Sequence, residues 1–89
     1  MIHSSACEYA IRAMTYVANF EPGTRLLARD ISAHEHIPGP FLGKIFQTLV
    51  RAGLLKSSKG PGGGFALAKD PEAISLYDIY RAVDGDTYL

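Results

Sequence analysis

The stretch RAGLLKSSKGPGGGFALAK, residues 51–69, constrains the fold more than any other part of the chain. Two short apolar runs, LLKSS and FALAK, flank the glycine-rich loop KGPGGG, and this pattern predicts a β-hairpin. A loop of two residues is enough to close a hairpin. The longer loop is therefore either a loose turn or a segment that approaches another molecule closely.

Three helices are predicted ahead of this hairpin. SSACEYAIRAMTYVANF has apolar residues at helical spacing, and Ser5 with Glu8 forms a candidate capping box at its start. EPGT provides turn residues at its end. A second helix is expected at about Ala28–Glu35, without an evident capping side chain. IPGP then breaks the chain, Pro40 suits the first turn of a third helix, and Gly53 ends that helix.

A fourth helix follows the hairpin, because Ser75 and Asp78 form a second candidate capping box before LYDIYRAV. The apolar stripes of the helices predict the core. Its expected members are Ala6, Tyr9, Ala10, Ala13, Met14 and Val17, then Phe41, Leu42, Ile45, Phe46, Leu49 and Val50, and finally Leu76, Ile79, Tyr80 and Val83.

Length and composition exclude several classes of protein. The 89 residues, 47% of them hydrophobic, suit one folded domain over residues 1–89 with a modest core. The single cysteine excludes an internal disulfide. No apolar run approaches the roughly 18 residues of a membrane span, and the N-terminus lacks a signal-peptide pattern. We expect a cytoplasmic protein that does not use a membrane.

The charge is distributed unevenly although the formal net charge is zero. Residues 36–69 contain no Asp or Glu, and the rest of the chain is correspondingly acidic. A one-sided basic surface is typical of phosphate recognition, although a solvated basic face without a partner would look the same. The basic residues of this segment are Lys44, Arg51, Lys56, Lys59 and Lys69.

Helices joined by a tight Pro/Gly turn and followed by a hairpin predict a winged helix-turn-helix, mainly α with a small β-hairpin. In that plan the helix after the turn enters the major groove of double-stranded DNA. The residues predicted to face the DNA, at positions i, i+3, i+4 and i+7 opposite the apolar stripe, are Lys44, Gln47, Thr48 and Arg51, with Pro40 at the helix start.

Lys44 and Gln47 can read base edges, whereas Arg51 also suits the C-terminal end of a helix dipole. Any of the four can equally be an ordinary exposed helix residue. The hairpin is the predicted wing, in which Lys56, Ser58 and Lys59 would contact the DNA backbone. Residues 62–64 would let the chain come close, and we expect positive φ there. These residues are Gly62, Gly63 and Gly64.

Other chemistry has weaker support. KGPGGG lacks the Gly-Lys-Ser/Thr of a phosphate-binding loop, so a small nucleotide-binding enzyme is poorly supported, and no catalytic residues are predicted. His34 and His36 are two positions apart and would diverge on one helix; with His3 they make an unconvincing metal site. Cys7 is expected to be a small, half-buried helix residue.

Three segments carry a resemblance to a known family: YAIRAMTYVA, ARDISAHEHIPGPFLGKIFQTLVRAGLLKSSKGPGGGFALAK and ISLYDIYRAVDG. They cover almost the whole chain and resemble the Rrf-type winged-helix repressors. The resemblance implies a homodimeric transcription factor that binds partly palindromic promoter DNA. It also implies possible sensing of an iron–sulfur cluster, nitric oxide or redox state.

Two departures from the family pattern affect these expectations. Members usually continue past AVDG into a loop with three cysteines and a long helix that crosses to the partner subunit, whereas this sequence stops at Leu89. We therefore expect no cofactor within this chain, and a cluster only if such a loop exists; Glu8 is a candidate ligand by resemblance. Members also carry Ser or Thr where this predicted recognition helix begins with PGP. A winged helix used for protein–protein contact is the alternative function.

Overall fold

The structure is a computed structural model that describes residues 4–85. Within this range the elements follow the predicted order of three helices, a hairpin and a fourth helix, with one short 3-10 turn that the sequence patterns did not predict. The elements are α1 (Ser5–Ala18), α2 (Ala28–Glu35), α3 (Gly39–Arg51), β1 (Leu55–Ser58), β2 (Gly64–Leu67), the 3-10 turn (Pro71–Ala73) and α4 (Leu76–Asp84).

The first helix begins one residue earlier than its predicted cap. Ser4 is the N-cap, and its hydroxyl accepts a hydrogen bond from the Cys7 N–H at 3.1 Å. The predicted capping box of Ser5 and Glu8 is therefore wrong. Ser4 occupies the cap because the buried Asp84 carboxylate accepts from both its N–H, at 2.9 Å, and its hydroxyl, at 2.6 Å. This pair joins the start of α1 to the end of α4.

The turn between α2 and α3 is built by local backbone geometry. His36 ends α2 in the left-handed region with φ 56°, and the Ser32 hydroxyl donates to the Ile37 carbonyl. Pro38 is the N-cap of α3, so Pro40 lies in its first turn as predicted. At the other end Gly53 has φ 81°, the conformation that a glycine after a helix supplies without strain.

The core is formed mainly by α1 and α3, with Ile31 from α2, Leu55 from β1 and Ile79 from α4, and Phe46 is fully buried in it. Most predicted core positions are buried or half-buried. The prediction that Phe41 and Leu76 belong to the core is wrong, because their side chains are 40% and 64% exposed. Phe41 lies beyond the packed stripe of α3 and contacts the Tyr9 ring edge-on at 5.3 Å, while Leu76 occupies the first position of α4.

The prediction for Cys7 is also wrong. Its side chain is fully buried in the structure, whereas the sequence predicted a half-buried residue. Tyr9 and Tyr80 of the predicted core are half-buried, and so is Tyr16.

The hairpin is antiparallel, with register from Leu55 opposite Leu67 to Ser58 opposite Gly64. Its second strand is also paired on the other side, because Leu26 and Phe65 exchange two backbone hydrogen bonds of 2.8 Å each. Leu26, which lies two positions before the first residue of α2, therefore forms an isolated β-bridge to the other edge of β2. The hairpin is supported by a distant part of the chain, which no local pattern predicted.

The predicted capping box of α4 is confirmed. The Ser75 hydroxyl accepts from the Asp78 N–H at 3.0 Å, and the Asp78 carboxylate accepts from the Ser75 N–H at 2.9 Å. Among the described helices, none has the length and apolar character needed to span a bilayer.

Candidate nucleic-acid interface

The outer face of α3 presents polar side chains in one row. Lys44, Gln47 and Arg51 are exposed, and Thr48 between them is half-buried. The Thr48 hydroxyl donates to the Lys44 carbonyl at 3.2 Å, so its proton is already engaged and its oxygen remains available as an acceptor. The four predicted residues therefore do share one accessible helix face, opposite the buried stripe.

The N-terminal end of α3 offers backbone donors in place of side-chain donors. Pro38 makes no side-chain cap, and Pro40 at the second helical position is exposed and has no N–H. The first turn of a helix leaves N–H groups without intrahelical partners. An uncapped first turn can therefore approach an anionic group through its backbone.

The wing, defined here as residues 55–67, carries its cations on the outside. Lys56 and Lys59 are exposed, and Ser58 at the end of β1 is half-buried. Lys56 lies opposite Ala66 in the register, and Lys59 begins the loop after the Ser58–Gly64 pair. The wing therefore presents one lysine on its first strand and one at the base of its tip.

The tip glycines are required by the loop itself. A Cβ at Gly63 would lie 2.3 Å from the Ser58 carbonyl oxygen, and one at Gly64 would lie 2.7 Å from the Leu26 carbonyl oxygen. Both distances are shorter than any ordinary contact, so these two positions exclude larger residues for packing reasons. At Gly62 a Cβ would meet nothing within 4 Å.

The expectation of positive φ is confirmed at Gly62, with φ 76°, and at Gly64, with φ 138°. It is wrong at Gly63, whose φ is not positive. There the requirement for glycine comes from the backbone that crosses beside it. The tip is closed by a hydrogen bond of 2.9 Å from the Gly63 N–H to the Gly60 carbonyl.

Sequence reasoning missed Arg25 as a neighbour of the wing. Its side chain is exposed and its Nη1 donates to the Gly62 carbonyl at 3.3 Å. The residue lies 37 positions before Gly62, so helix or strand periodicity gives no signal for this contact. The only clue in the sequence was a basic residue directly before the apolar pair Leu26 and Leu27.

The basic face has no acidic counterpart on its own elements. In the part of the chain that the structure describes, the ion pair between Arg12 and Glu35 at 3.6 Å and the 2.9 Å contact between His34 and Glu35 involve no residue of α3 or the wing. The cations of α3 and the wing are therefore free to attract an anionic partner.

A metal or iron–sulfur site does not fit the described residues. Between residues 4 and 85 there is no group of three His, Cys, Asp or Glu side chains able to hold a metal ion. Cys7 is buried, and its burial raises the pKa of the thiol, as does the nearby Asp84 carboxylate. A buried thiol with a raised pKa is a poor source of the thiolate that a cluster needs.

The remaining candidate ligands are dispersed. The His34 ring packs against the Tyr16 ring, with 4.4 Å between the centroids, while His36 is the C-cap of α2 in the left-handed region. Glu8 is exposed on the first turn of α1 and takes no part in its cap. His34 and His36 belong to no group of candidate metal ligands within residues 4–85; His3 and residues 86–89 lie outside the described residues.

Comparison with known proteins agrees with this architecture. Against solved structures, the chain is similar to CymR, "the Global Cysteine Regulator of B. subtilis", with a TM-score of 0.89, 28% identity, and coverage of 96% of this chain and 66% of that one. It is also similar to T. potens IscR, with a TM-score of 0.87, 29% identity, and coverage of 97% and 63%. The fold is a winged helix-turn-helix.

The sequence comparisons identify the family. The Rrf2 family model, described as "Iron-dependent Transcriptional regulator", matches residues 3–89. The HTH-type transcriptional regulator IscR of Escherichia coli is 42% identical over 82 residues, which cover 91% of this chain and 50% of that protein. The chain belongs to the Rrf2 family of transcriptional regulators, as its sequence motifs predicted.

Its extent differs from that of its relatives. The chain spans 60% of the length of an Aquifex aeolicus relative that is 39% identical to it, and half the length of Escherichia coli IscR.

Proposed function

We propose that this chain is the DNA-binding domain of a transcriptional repressor, with α3 in the major groove and the wing against the sugar–phosphate backbone. The observation that carries the proposal is the placement of an uncompensated basic helix face next to a hairpin with outward lysines, in a segment without a single acidic residue. Family membership supports the same conclusion.

The helix face would read the sequence. Lys44 is a candidate for the acceptors of guanine and Gln47 for the paired donor and acceptor of adenine. Thr48 and Arg51 lie one turn further on and would contact base or phosphate, and Pro40 would pack beside the backbone. Both Lys44 and Gln47 are exposed and make no side-chain hydrogen bond within the described structure, so neither must break a contact to bind.

The wing would position the domain on the DNA rather than read the base sequence. Lys56, Ser58 and Lys59 can each contact phosphate oxygens, and such contacts set register and orientation without reading bases. The glycines would bring the tip close to the backbone, with the conformation of Gly62 and the tight packing of Gly63 and Gly64 holding its shape.

Selection from a random DNA duplex library, followed by binding titrations of the selected and a scrambled duplex, tests this function. We expect salt-dependent binding with a clear preference for the selected sequence. If no duplex is enriched and binding is undetectable at low salt, the DNA-binding function is excluded and a winged helix for protein–protein contact becomes the better explanation.

We also propose that the intact protein acts as a homodimer on a partly palindromic site, because two linked recognition helices multiply a weak single-site affinity. The family places a partner-crossing helix after the AVDG turn, so residues 1–89 alone should dimerise weakly. Light scattering that showed a tight dimer of this segment would contradict the expectation.

Sensing is a separate proposal. An iron–sulfur cluster would need cysteine ligands beyond those of this sequence, with Glu8 as a candidate additional ligand by resemblance. Glu8 is exposed and free of the capping role that the sequence suggested for it, which is compatible with such a role.

A further inference from the structure

Arg25 connects the segment before α2 to the tip of the wing. Its guanidinium donates one hydrogen bond to the carbonyl of Gly62, while the next residue, Leu26, pairs with Phe65 through two backbone hydrogen bonds. The backbone next to this arginine is therefore held by the β-bridge of Leu26, and its guanidinium is held at the wing tip by the Gly62 carbonyl. The guanidinium is placed on the exposed loop rather than left to sample the solvent.

Most of the binding capacity of this guanidinium is unused. An arginine side chain has five N–H donors, and Arg25 uses one of them on Gly62. No carboxylate within residues 4–85 forms an ion pair with it. The adjacent loop carries Lys59, also exposed. Two cations from distant parts of the sequence thus lie at one loop, residues 59–63, that contains no Asp or Glu.

We propose that Arg25 is part of the DNA interface and contacts a backbone phosphate beside the wing tip while it holds the Gly62 carbonyl. Phosphate is the favoured partner because a planar guanidinium with several free donors matches phosphate oxygens. An arginine whose guanidinium is held at the loop tip lies where a DNA strand bound along the wing would pass. This inference rests on the proposed DNA-binding function and adds a residue that lies outside the basic segment.

The test is a salt titration of DNA binding by the intact protein, with a fluorescently labelled selected duplex and a scrambled duplex as probes. Arg25→Gln removes the charge and leaves a shorter polar side chain with N–H donors. Arg25→Lys keeps the charge and loses the planar fork. Arg81→Ala is the matched control, because it removes an exposed cation from α4, whose ring contact is with Tyr77.

For Arg25→Gln we expect weaker binding to both duplexes by the same factor, and a slope of log affinity against log salt that is shallower by about one per subunit. Arg25→Lys should keep most of the slope, and Arg81→Ala should keep both slope and affinity. Thermal unfolding should be unchanged in all three variants, which excludes a loss of fold as the cause.

Three results would overturn the inference. These are an Arg25→Gln variant that matches Arg81→Ala in slope and affinity, one that weakens binding with an unchanged slope, and one that changes the preference between the two duplexes. The first would place Arg25 off the DNA, the second would limit it to holding the loop, and the third would assign it to a base. If the wild-type protein binds neither duplex, the proposed function itself fails, and that result is distinct from all three.

Discussion

Helix α3 and the wing lie next to each other in the sequence but are held in different ways. The helix is fixed by its own apolar stripe, which buries Leu42, Ile45 and Leu49 in the core. The wing is a two-stranded hairpin, which is marginal alone, and it depends on Leu26 and Arg25 from a distant segment. Local sequence therefore determines one half of the candidate interface, and tertiary contacts determine the other.

Glycine substitutions should have opposite effects in the two regions, and this is the largest effect we expect. Gly64→Ala places a Cβ 2.7 Å from the Leu26 carbonyl oxygen at a φ of 138°, which should cost about 1–3 kcal/mol of stability. Gly43→Ala adds a Cβ that meets nothing within 4 Å on α3, and should stabilise the helix by about 0.5–1 kcal/mol. Urea unfolding measures both changes.

Gly63→Val extends this comparison from stability to binding. Its side chain would collide with the Ser58 carbonyl oxygen, which a Cβ alone would approach to 2.3 Å, so the tip must rearrange. We expect weaker DNA binding without any loss of charge. Gly62→Ala is the control, because a Cβ there meets open space and only the positive φ is unfavourable.

For the stability comparison, equal free energies of unfolding of Gly64→Ala and Gly43→Ala would contradict the account of the wing.

Substitutions on α3 should remove sequence preference and leave the fold intact. Lys44→Ala and Gln47→Ala should each reduce discrimination between the selected and the scrambled duplex by about 1–3 kcal/mol. Because both side chains are exposed, the free energy of unfolding should change by less than about 0.5 kcal/mol. Competition binding and urea unfolding check the two halves of the expectation. Full discrimination in both variants would mean that another element reads the bases.

A substitution in the wing should act on all DNA sequences alike. Lys59→Ala removes one exposed cation and should make the slope of log affinity against log salt shallower by about one per subunit. Its preference for the selected duplex should stay at the wild-type value. A salt titration on both duplexes measures this, and an unchanged slope would show that Lys59 does not contact phosphate.

The smallest effect that we expect concerns the capping box of α4, which lies outside the candidate interface. The hydrogen bond from the Ser75 N–H is the main cause that lowers the pKa of Asp78 below its ordinary value of 3.8, with Lys69 and Arg81 as lesser contributors. A lowered pKa stabilises the fold above 3.8, and that stabilisation is lost as pH falls through the folded-state pKa. Asp78→Asn should therefore be less stable than wild type at neutral pH, and urea unfolding at decreasing pH should show the difference shrinking.

The same division between local and distant contacts explains what the sequence could predict. The bounds of α2, the first turn of α3 and the capping box of Ser75 and Asp78 were predicted because residues a few positions apart decide them. The α1 cap was displaced by one residue, since Asp84, 80 positions away, binds Ser4. Helix or strand periodicity in the sequence gives no information about such a contact.

The candidate site divides in the same way. The exposed row on α3 was predicted from helical spacing. The requirement for glycine at position 64 was not predicted from packing, because it depends on the carbonyl of Leu26. Arg25 was missed because its partner, Gly62, is distant in the sequence. Which of these residues touch DNA stays a prediction.

The most direct test of the account measures Lys44→Ala and Lys59→Ala side by side on the selected and scrambled duplexes over a range of salt concentrations. The account predicts that Lys44→Ala loses the preference for the selected duplex. It also predicts that Lys59→Ala keeps that preference while both of its salt slopes become shallower. If Lys59→Ala instead lost the preference and Lys44→Ala weakened binding to both duplexes equally, the assignment of base reading to α3 and backbone contact to the wing would be wrong.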